Sequence, residues 1–196
     1  MIVLDIEATG VNHQKHSILS LGALDYNNPS NRLYLECRAW EGAHMEDEAL
    51  AVCGFTREEA TDPTKQTEAQ LIAQFLTWAD DIEDQTFLGQ NVSFDRDYVQ
   101  AACERAGYNY PFAHRTVDTH TIAYMHYILH RKEVPIAKRH SALNIEAVCA
   151  YIGIPGEPEP HNALTGALTH AEMFSRLVYG KKLLPEFDQY EVPTFC

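Results

Sequence analysis

The chain has 196 residues, of which 45% are apolar and 22% charged, and we expect one globular domain with a sizeable core. Its net charge of −13 excludes a protein that binds nucleic acid through a general basic surface, although a local contact with phosphate through metal ions stays open. With no apolar run near the ~18 residues of a membrane span and no basic leader, we expect a cytoplasmic protein without membrane contact.

Three strands are predicted at the N-terminus, in the runs "MIVLDIEATG", "ILSLGALDY" and "NRLYLECRAW". The turn signal "NNPSN" separates the second strand from the third. The simplest arrangement of three such consecutive strands is an antiparallel meander.

Helix and strand patterns alternate after the meander. Helices are predicted in "EDEALAVCGFTREEA", in "TKQTEAQLIAQFLTWADDI", from Ser93 to Gly107, in the second half of "RTVDTHTIAYMHYILH", in "SALNIEAVCAYIGIP" and in a last segment that ends at Gly180. Short strands are predicted around "FLGQN" and at the start of "RTVDTHTIAYMHYILH". We therefore predict an α/β domain over residues 1–180, with a mixed sheet flanked by helices, and a C-terminal tail over residues 181–196.

Two acidic residues, Asp5 and Glu7, lie two positions apart in the first predicted strand. Because alternate side chains of a strand share a face, both carboxylates project to one side and the apolar Leu4 and Ile6 project to the other. Neighbouring acids at the end of a buried strand are unfavourable unless a cation lies between them. The pattern favours a site for a hard metal ion over an exposed strand end.

Two further polar residues stand next to predicted helices. Asp95 falls in the first turn of the helix that begins near Ser93, where the helix dipole favours an anion. The alternative is capping by Ser93, with Asp95 and Asp97 as ordinary first-turn acids. His161 precedes the last helix, and because histidine titrates near neutral pH we interpret it as a general base for water rather than a solvated loop residue.

Together these motifs resemble the DnaQ-like family of 3′-to-5′ exonucleases, the DEDDh group within the ribonuclease H-like fold. The stretch "VLDIEATG" matches the family's first motif, "NVSFDRDYV" its second and "HNALTGALTHAEMF" its third. Supporting matches are "LSLGAL", "TVDT" and "SALNIEAVCAYIGIP". The resemblance implies a mixed central sheet, in which the antiparallel meander is joined by parallel strands.

The resemblance also implies a mechanism with two divalent cations, Mg²⁺ or Mn²⁺, as cofactors. Asp5 would bridge both ions, Glu7 would bind the ion that activates water, and Asp95 would support the second ion. His161 would remove the proton from the attacking water. Two ions ~4 Å apart would stabilise the incoming hydroxide and the leaving 3′ oxygen, and the partner would be a single-stranded DNA or RNA 3′ end that is cut to nucleoside 5′-monophosphates.

One position departs from the family's third motif, because Gly166 stands where the family has its fourth acid, an Asp five residues after the histidine. We expect His170, one turn further along the same helix face, to take over the missing ligand position and to shift the preference from Mg²⁺ toward Mn²⁺. The alternatives are that His170 is a surface or packing histidine, or that Glu172, on a different face, replaces the acid. Gly166 itself indicates either a close backbone approach or an engineered inactivating change.

Substrate contacts implied by the resemblance lie near the first motif and the helices that follow, where apolar side chains hold the terminal bases. The candidates are Ala8, Thr9, Phe55, Asn91 and Phe94. For both phenylalanines a place in the core is the alternative.

Two other functions stay open at this point. Gly166 suggests a catalytically impaired pseudo-exonuclease that binds 3′ ends or a protein partner, whereas retention of His161 favours an enzyme. The tail sequence "LLPEFDQYEVPTF" suggests an interaction module that uses it as a partner peptide, or a homodimer formed through it. The sequence alone does not distinguish DNA from RNA as the substrate.

Overall fold

The computed structural model of the chain describes residues 1–195, and Cys196, the last residue of the predicted tail, lies outside the described residues. A five-stranded sheet has the strand order β3-β2-β1-β4-β5. Its strands are β1 (Ile2–Ala8), β2 (Ile18–Asp25), β3 (Asn28–Glu36), β4 (Phe87–Gly89) and β5 (Thr116–Asp118). The first three strands pair antiparallel, whereas β4 and β5 join β1 in parallel, so the predicted mixed sheet with its meander is confirmed.

Within residues 1–195, seven α-helices surround the sheet. They are α1 (Asp47–Cys53), α2 (Arg57–Ala60), α3 (Glu68–Ala79), α4 (Ser93–Ala106), α5 (Thr119–Leu129), α6 (Ile145–Ile152) and α7 (Ala163–Tyr179). Each occupies a segment that was predicted to be helical, and Gly107, Gly153 and Gly180 follow the ends of α4, α6 and α7 as left-handed caps. Within residues 1–195 no helix combines the length and the apolar content that crossing a membrane requires.

Two connections differ from the prediction. The turn between β2 and β3 uses only Tyr26 and Asn27, and β3 begins at Asn28 and contains Pro29. Proline is tolerated there because β3 is an edge strand, where a missing N–H need not break a ladder. A small hairpin of β6 (Ile136–Ala137) and β7 (His140–Ser141) also forms in a segment that carried no strand signal.

The two faces of β1 contribute to separate cores, as the alternation of its side chains requires. Ile2, Leu4 and Ile6 pack with residues of α3 and α4, whereas Val3 packs with residues of α5, α6 and α7. Because Asp5 and Glu7 share the phase of Val3, their side chains lie on the face that α7 covers. The sheet thus positions both carboxylates beside the helix that carries the third motif.

Gly22 allows the start of α7 to lie directly on the sheet. A Cβ built on Gly22 would stand 2.2 Å from the backbone of Ala163, a distance that no side chain permits. Gly22 is paired in register with Asp5 across β1 and β2. The first turn of α7 therefore crosses the sheet beside Asp5.

Glu172 and Arg176 form a buried ion pair within α7, and both side chains also bind the backbone of the tail. The Arg176 Nε donates to Glu172 Oε1 at 2.6 Å, and the Glu172 Oε2 accepts the backbone N–H groups of Leu183 and Leu184. The remaining guanidinium nitrogens donate to backbone carbonyl groups of α6 and the tail. Since Leu184 and Phe187 are buried in the same core, these apolar side chains are not available as a partner peptide.

Candidate active site

Asp5 and Glu7 form the first part of an acidic cluster between β1 and α7. Burial, followed by the carboxylates of Asp95, Glu157 and Glu7, raises the pKa of Asp5 well above its usual range. Burial and the neighbouring Glu157 raise the pKa of Glu7 to about 7. Both acids therefore stand in an environment that disfavours their ionised forms unless positive charge is supplied.

Asp95 joins this cluster from α4. It is 3% exposed, and its Oδ1 accepts the backbone N–H of Ile6 in β1 at 3.0 Å. Burial raises the pKa of Asp95 well above its usual range, although the Ile6 N–H opposes that shift. Ser93 is the first residue of the helix rather than its cap, and Asp97 pairs with Arg96, so the capping alternative is wrong for Asp95.

His161 lies immediately before α7, in the loop that follows α6. Asn162 caps the helix by accepting the N–H groups of Leu164 and Thr165, which leaves His161 just outside the first turn. The backbone N–H of His161 donates to the carbonyl of Val52 at 2.9 Å and fixes the loop against α1. The imidazole is partly exposed, as a residue that accepts a proton from water needs to be.

Glu157 is an acid of this site that our sequence analysis missed. It lies in the loop before His161, and its Oε2 stands 3.7 Å from the His161 Nδ1. The side chain is only 5% exposed, and its Oε1 finds no hydrogen-bond partner among residues 1–195. The stretch "GIPGEPEPHN" offers no periodic pattern from which the direction of this side chain could be predicted.

Gly166 brings the backbone of α7 against two of these carboxylates. A Cβ on Gly166 would stand 2.2 Å from Asp5 Oδ2 and 3.0 Å from Glu157 Oε1. The interpretation of Gly166 as a point of close backbone approach is therefore confirmed. The space beside it, which the family's fourth acid would occupy, is filled by the carboxylates of Asp5 and Glu157.

His170 does not fill that space, because the three atoms nearest to a Cβ on Gly166 belong to Asp5 and Glu157, and the role of His170 as the replacement ligand stays a prediction. The residue is 1% exposed, and neither ring nitrogen has a hydrogen-bond partner in the described part of the chain. Burial lowers the pKa of His170 to about 4, and the groups that oppose this shift are the Leu4 carbonyl and Asp118. Glu172 pairs with Arg176 instead of joining the acids.

A cavity of about 330 Å³ opens beside His161. Phe55 and Lys65 contribute to its wall together with Pro160 and Asn162. The Lys65 ammonium lies 4.5 Å from the centre of the Phe55 ring and also pairs with Glu36. The cavity thus places an aromatic ring next to the candidate base, while Glu36 and Glu59 on the same wall balance the charge of Lys65.

The other candidate substrate residues have mixed placements. Thr9 is fully buried, and its hydroxyl donates to the His44 carbonyl and accepts the Ser17 N–H, so its side chain stabilises a loop. Ala8 is 9% exposed, and Phe94 packs on Tyr98 at the edge of the core. Asn91 adopts a left-handed φ of 53° and lines a separate cavity of about 830 Å³. Phe55 is the candidate that lies beside His161.

The donor chemistry of the cluster fits divalent cations. In residues 1–195 no three His, Cys, Asp or Glu side chains are already arranged to hold an ion, so binding requires side-chain adjustment. Asp5, Glu7, Asp95 and Glu157 nevertheless supply only carboxylate oxygens, the ligands that Mg²⁺ and Mn²⁺ prefer. The unpartnered Oε1 of Glu157 is the kind of group that such an ion would satisfy.

Comparisons with known proteins show the family of this chain. The RNase_T family model, described as "Exonuclease", matches residues 2–174. Ribonuclease T of Yersinia pseudotuberculosis serotype O:1b (strain IP 31758) is 29% identical over 197 aligned residues, which cover 90% of this chain and 83% of that protein. Ribonuclease T of Shewanella baltica (strain OS155 / ATCC BAA-1091) is 27% identical, with 90% and 80% covered.

Solved structures share the fold at lower identity. E. coli Exonuclease I in complex with a 5cy-dT13 oligonucleotide has a TM-score of 0.72 and 17% identity, over 91% of this chain and 41% of that chain. Exonuclease I from Methylocaldum szegediense has a TM-score of 0.72 and 18% identity, over 92% and 41%. This chain therefore spans about two fifths of the Exonuclease I chains that it matches, and the likeness is one of fold.

Proposed function

This chain belongs to the exonuclease family whose model matches residues 2–174, and we propose that it is a metal-dependent 3′-to-5′ exonuclease. Its substrate would be the 3′ end of single-stranded nucleic acid, and its products would be nucleoside 5′-monophosphates. The observation that carries this proposal is the buried cluster of Asp5, Glu7 and Asp95, which raises the pKa of each of these acids and adjoins His161 through Glu157.

Both DNA and RNA are substrates within this proposal. The Yersinia and Shewanella relatives carry the name Ribonuclease T, which supports RNA. The E. coli structure contains a dT13 oligonucleotide, which supports single-stranded DNA. Base stacking on an aromatic side chain such as Phe55 is tolerant of sequence, so one cavity can serve both polymers.

Asp5, Glu7 and Asp95 would hold two divalent cations, Mg²⁺ or Mn²⁺. Such ions, when bound, supply positive charge against the phosphate and lower the pKa of water. His161 would accept the proton of the attacking water at Nε2, because Nδ1 faces Glu157. The new bond joins the water oxygen to phosphorus, the bond from phosphorus to the 3′ oxygen breaks, and the leaving oxygen is protonated from solvent.

The cavity beside His161 would receive the terminal nucleotide. Phe55 would stack on the base, and Lys65 would stand near a phosphate. A homodimer built on the apolar side chains of the tail is not part of this proposal, because Leu184 and Phe187 pack within the chain.

A pseudo-exonuclease is the second candidate function, and Gly166 is the observation that favours it. Such a protein would keep the 3′-end cavity but lack turnover. The two functions make opposite predictions for digestion, while both allow binding.

The test is digestion of 5′-labelled single-stranded DNA and RNA by the purified chain in Mg²⁺ and in Mn²⁺. We expect a ladder that shortens from the 3′ end, together with release of nucleoside 5′-monophosphates, and loss of both with His161→Ala and with Asp5→Asn. Binding of the oligonucleotide without a ladder in either metal would establish the pseudo-exonuclease instead.

A further inference from the structure

Glu157 occupies a position that makes it part of the acidic cluster, although it comes from a loop and not from one of the three motifs. Its Oε1 and the Asp5 Oδ2 both lie within 3.0 Å of the point where a Cβ on Gly166 would stand. The carboxylate of Glu157 is also close enough to raise the pKa of Asp5 and of Glu7. The carboxylate thus lies among the same acids that the proposed function assigns to metal binding.

No other interaction accounts for the position of Glu157 Oε1. The side chain is 5% exposed, and this oxygen finds no donor anywhere in residues 1–195. A buried carboxylate oxygen without a partner is costly, so a protein seldom keeps one without a ligand that compensates it. The opposite oxygen, Oε2, stands 3.7 Å from the His161 Nδ1, which leaves Oε1 directed at the acidic cluster.

We propose that Glu157 is a metal ligand of this site and supplies the fourth carboxylate, in the place beside Gly166. The inference rests on the proposed metal-dependent function and names one more residue for it. In this proposal a loop residue supplies the negative charge that is missing from the third motif on α7.

Gly166 and Glu157 depend on each other in this arrangement. A side chain at position 166 would collide with Asp5 and press on Glu157, so a glycine there makes room for the acid that arrives from the loop. An Asp at position 166 would need the space that Asp5 and Glu157 now use. In this chain the fourth carboxylate therefore comes from the loop.

The first test is Mn²⁺ binding by the metal-free full-length chain, measured by isothermal titration calorimetry. Glu157→Gln keeps the shape of the side chain, and we expect it to weaken Mn²⁺ affinity by at least the roughly 10-fold that loss of even an outer-shell partner costs. The matched control is Glu159→Gln, an exposed acid two residues along the same loop, which should bind Mn²⁺ as the wild type does. Asp5→Asn serves as the positive control for loss of binding.

A stability measurement separates a ligand from a structural residue. In EDTA, Glu157→Gln should be at least as stable as the wild type, because it removes a buried charge that lacks a partner at one oxygen. A purely structural Glu157 would give a less stable variant and unchanged Mn²⁺ affinity.

Truncation of the side chain gives a second variant. Glu157→Ala should lose Mn²⁺ affinity at least as strongly as Glu157→Gln, because both remove the carboxylate. Wild-type Mn²⁺ affinity in Glu157→Gln, with loss in Asp5→Asn and a digestion ladder from the wild type, would overturn the role of Glu157 and leave the proposed function standing. A wild type that neither binds Mn²⁺ nor digests single strands would overturn both.

Discussion

Gly166→Ala is the substitution that most directly tests how α7 meets the acidic cluster. Alanine is the better helix former, so in an exposed helix the change would stabilise the protein by about 1 kcal/mol. Here the added Cβ would stand 2.2 Å from Asp5 Oδ2 and 2.7 Å from Asp5 Cγ. Asp5 is a short side chain on a strand that is paired on both sides, so it cannot simply swing away.

The expected loss follows from these two opposing effects. Overpacking of a tight site costs about 1–3 kcal/mol, and we place this contact toward the upper end because the Cγ as well as the terminal oxygen must move. After the gain in helix propensity is subtracted, the free energy of unfolding should fall by about 1–2 kcal/mol. For a chain of this size the corresponding decrease in Tm is about 3–6 °C.

Urea and thermal unfolding in EDTA measure this loss without a contribution from metal. Ala150→Gly, at an exposed position of α6, is the control that reports the intrinsic difference between glycine and alanine in this chain. If Gly166→Ala unfolds at the same urea concentration as the wild type, or is stabilised by about the amount that the control loses, the close approach of α7 to Asp5 is refuted.

Four further predictions address the metal, the acids, the tail and the substrate cavity. Mn²⁺ at roughly 100 times its Kd should stabilise the chain by about 2.7 kcal/mol, seen as a rise in Tm that EDTA reverses, and an unchanged Tm would contradict metal binding. The metal-free chain should lose stability between about pH 5 and about pH 8, because the pKa of Glu7 is raised from 4.5 to about 7 in the folded state. The stabilisation from protonated Glu7 is complete below the unfolded pKa and is lost as the pH rises through about 7. Glu7→Gln should therefore flatten the dependence of the free energy of unfolding on pH, measured by urea titrations, and an unaltered dependence would argue against the raised pKa of Glu7. Arg176→Met should lower the free energy of unfolding by about 3–5 kcal/mol because it leaves Glu172 buried without its partner, and a milder loss on urea unfolding would mean that the tail can detach at little cost. Phe55→Ala should raise KM for single-stranded DNA by about 5- to 150-fold with little change in kcat, as stacking contributes about 1–3 kcal/mol per base, and an unchanged KM in steady-state kinetics would remove Phe55 from the site.

The strands and helices around the site could be predicted because their signals are local. The alternation in β1 placed Asp5 and Glu7 on the face opposite Leu4 and Ile6, and the structure has them on the side covered by α7. Likewise, the predicted start of α4 near Ser93 is its first residue in the structure. Side chains repeat their direction every two residues in a strand and every 3.6 residues in a helix, so neighbouring positions of a single sequence are enough to predict them.

Two local features escaped prediction because their residues are unusual for the conformations they adopt. The turn of the β6–β7 hairpin uses Lys138 and Arg139, both with positive φ, where Asn-Gly or Asp-Gly pairs are the common signal. Pro29 stands inside β3, where proline ordinarily marks a turn. At the edge of the sheet the missing N–H of proline breaks no ladder hydrogen bond. The edge position itself depends on long-range strand pairing, which the local sequence does not show.

The replacement for the fourth acid could not be found by counting along α7. The helix geometry correctly relates His170 to Gly166, but it says nothing about what other elements bring to the same space. Glu157 arrives from a loop whose path is set by the His161 contact with Val52 and by the capping of α7 by Asn162. A metal site requires oxygen atoms around one point in space, and chain order is irrelevant to that requirement. Because the loop before α7 ends beside the first turn of that helix, an acid in the loop can reach the cluster, and Gly166 leaves room for it.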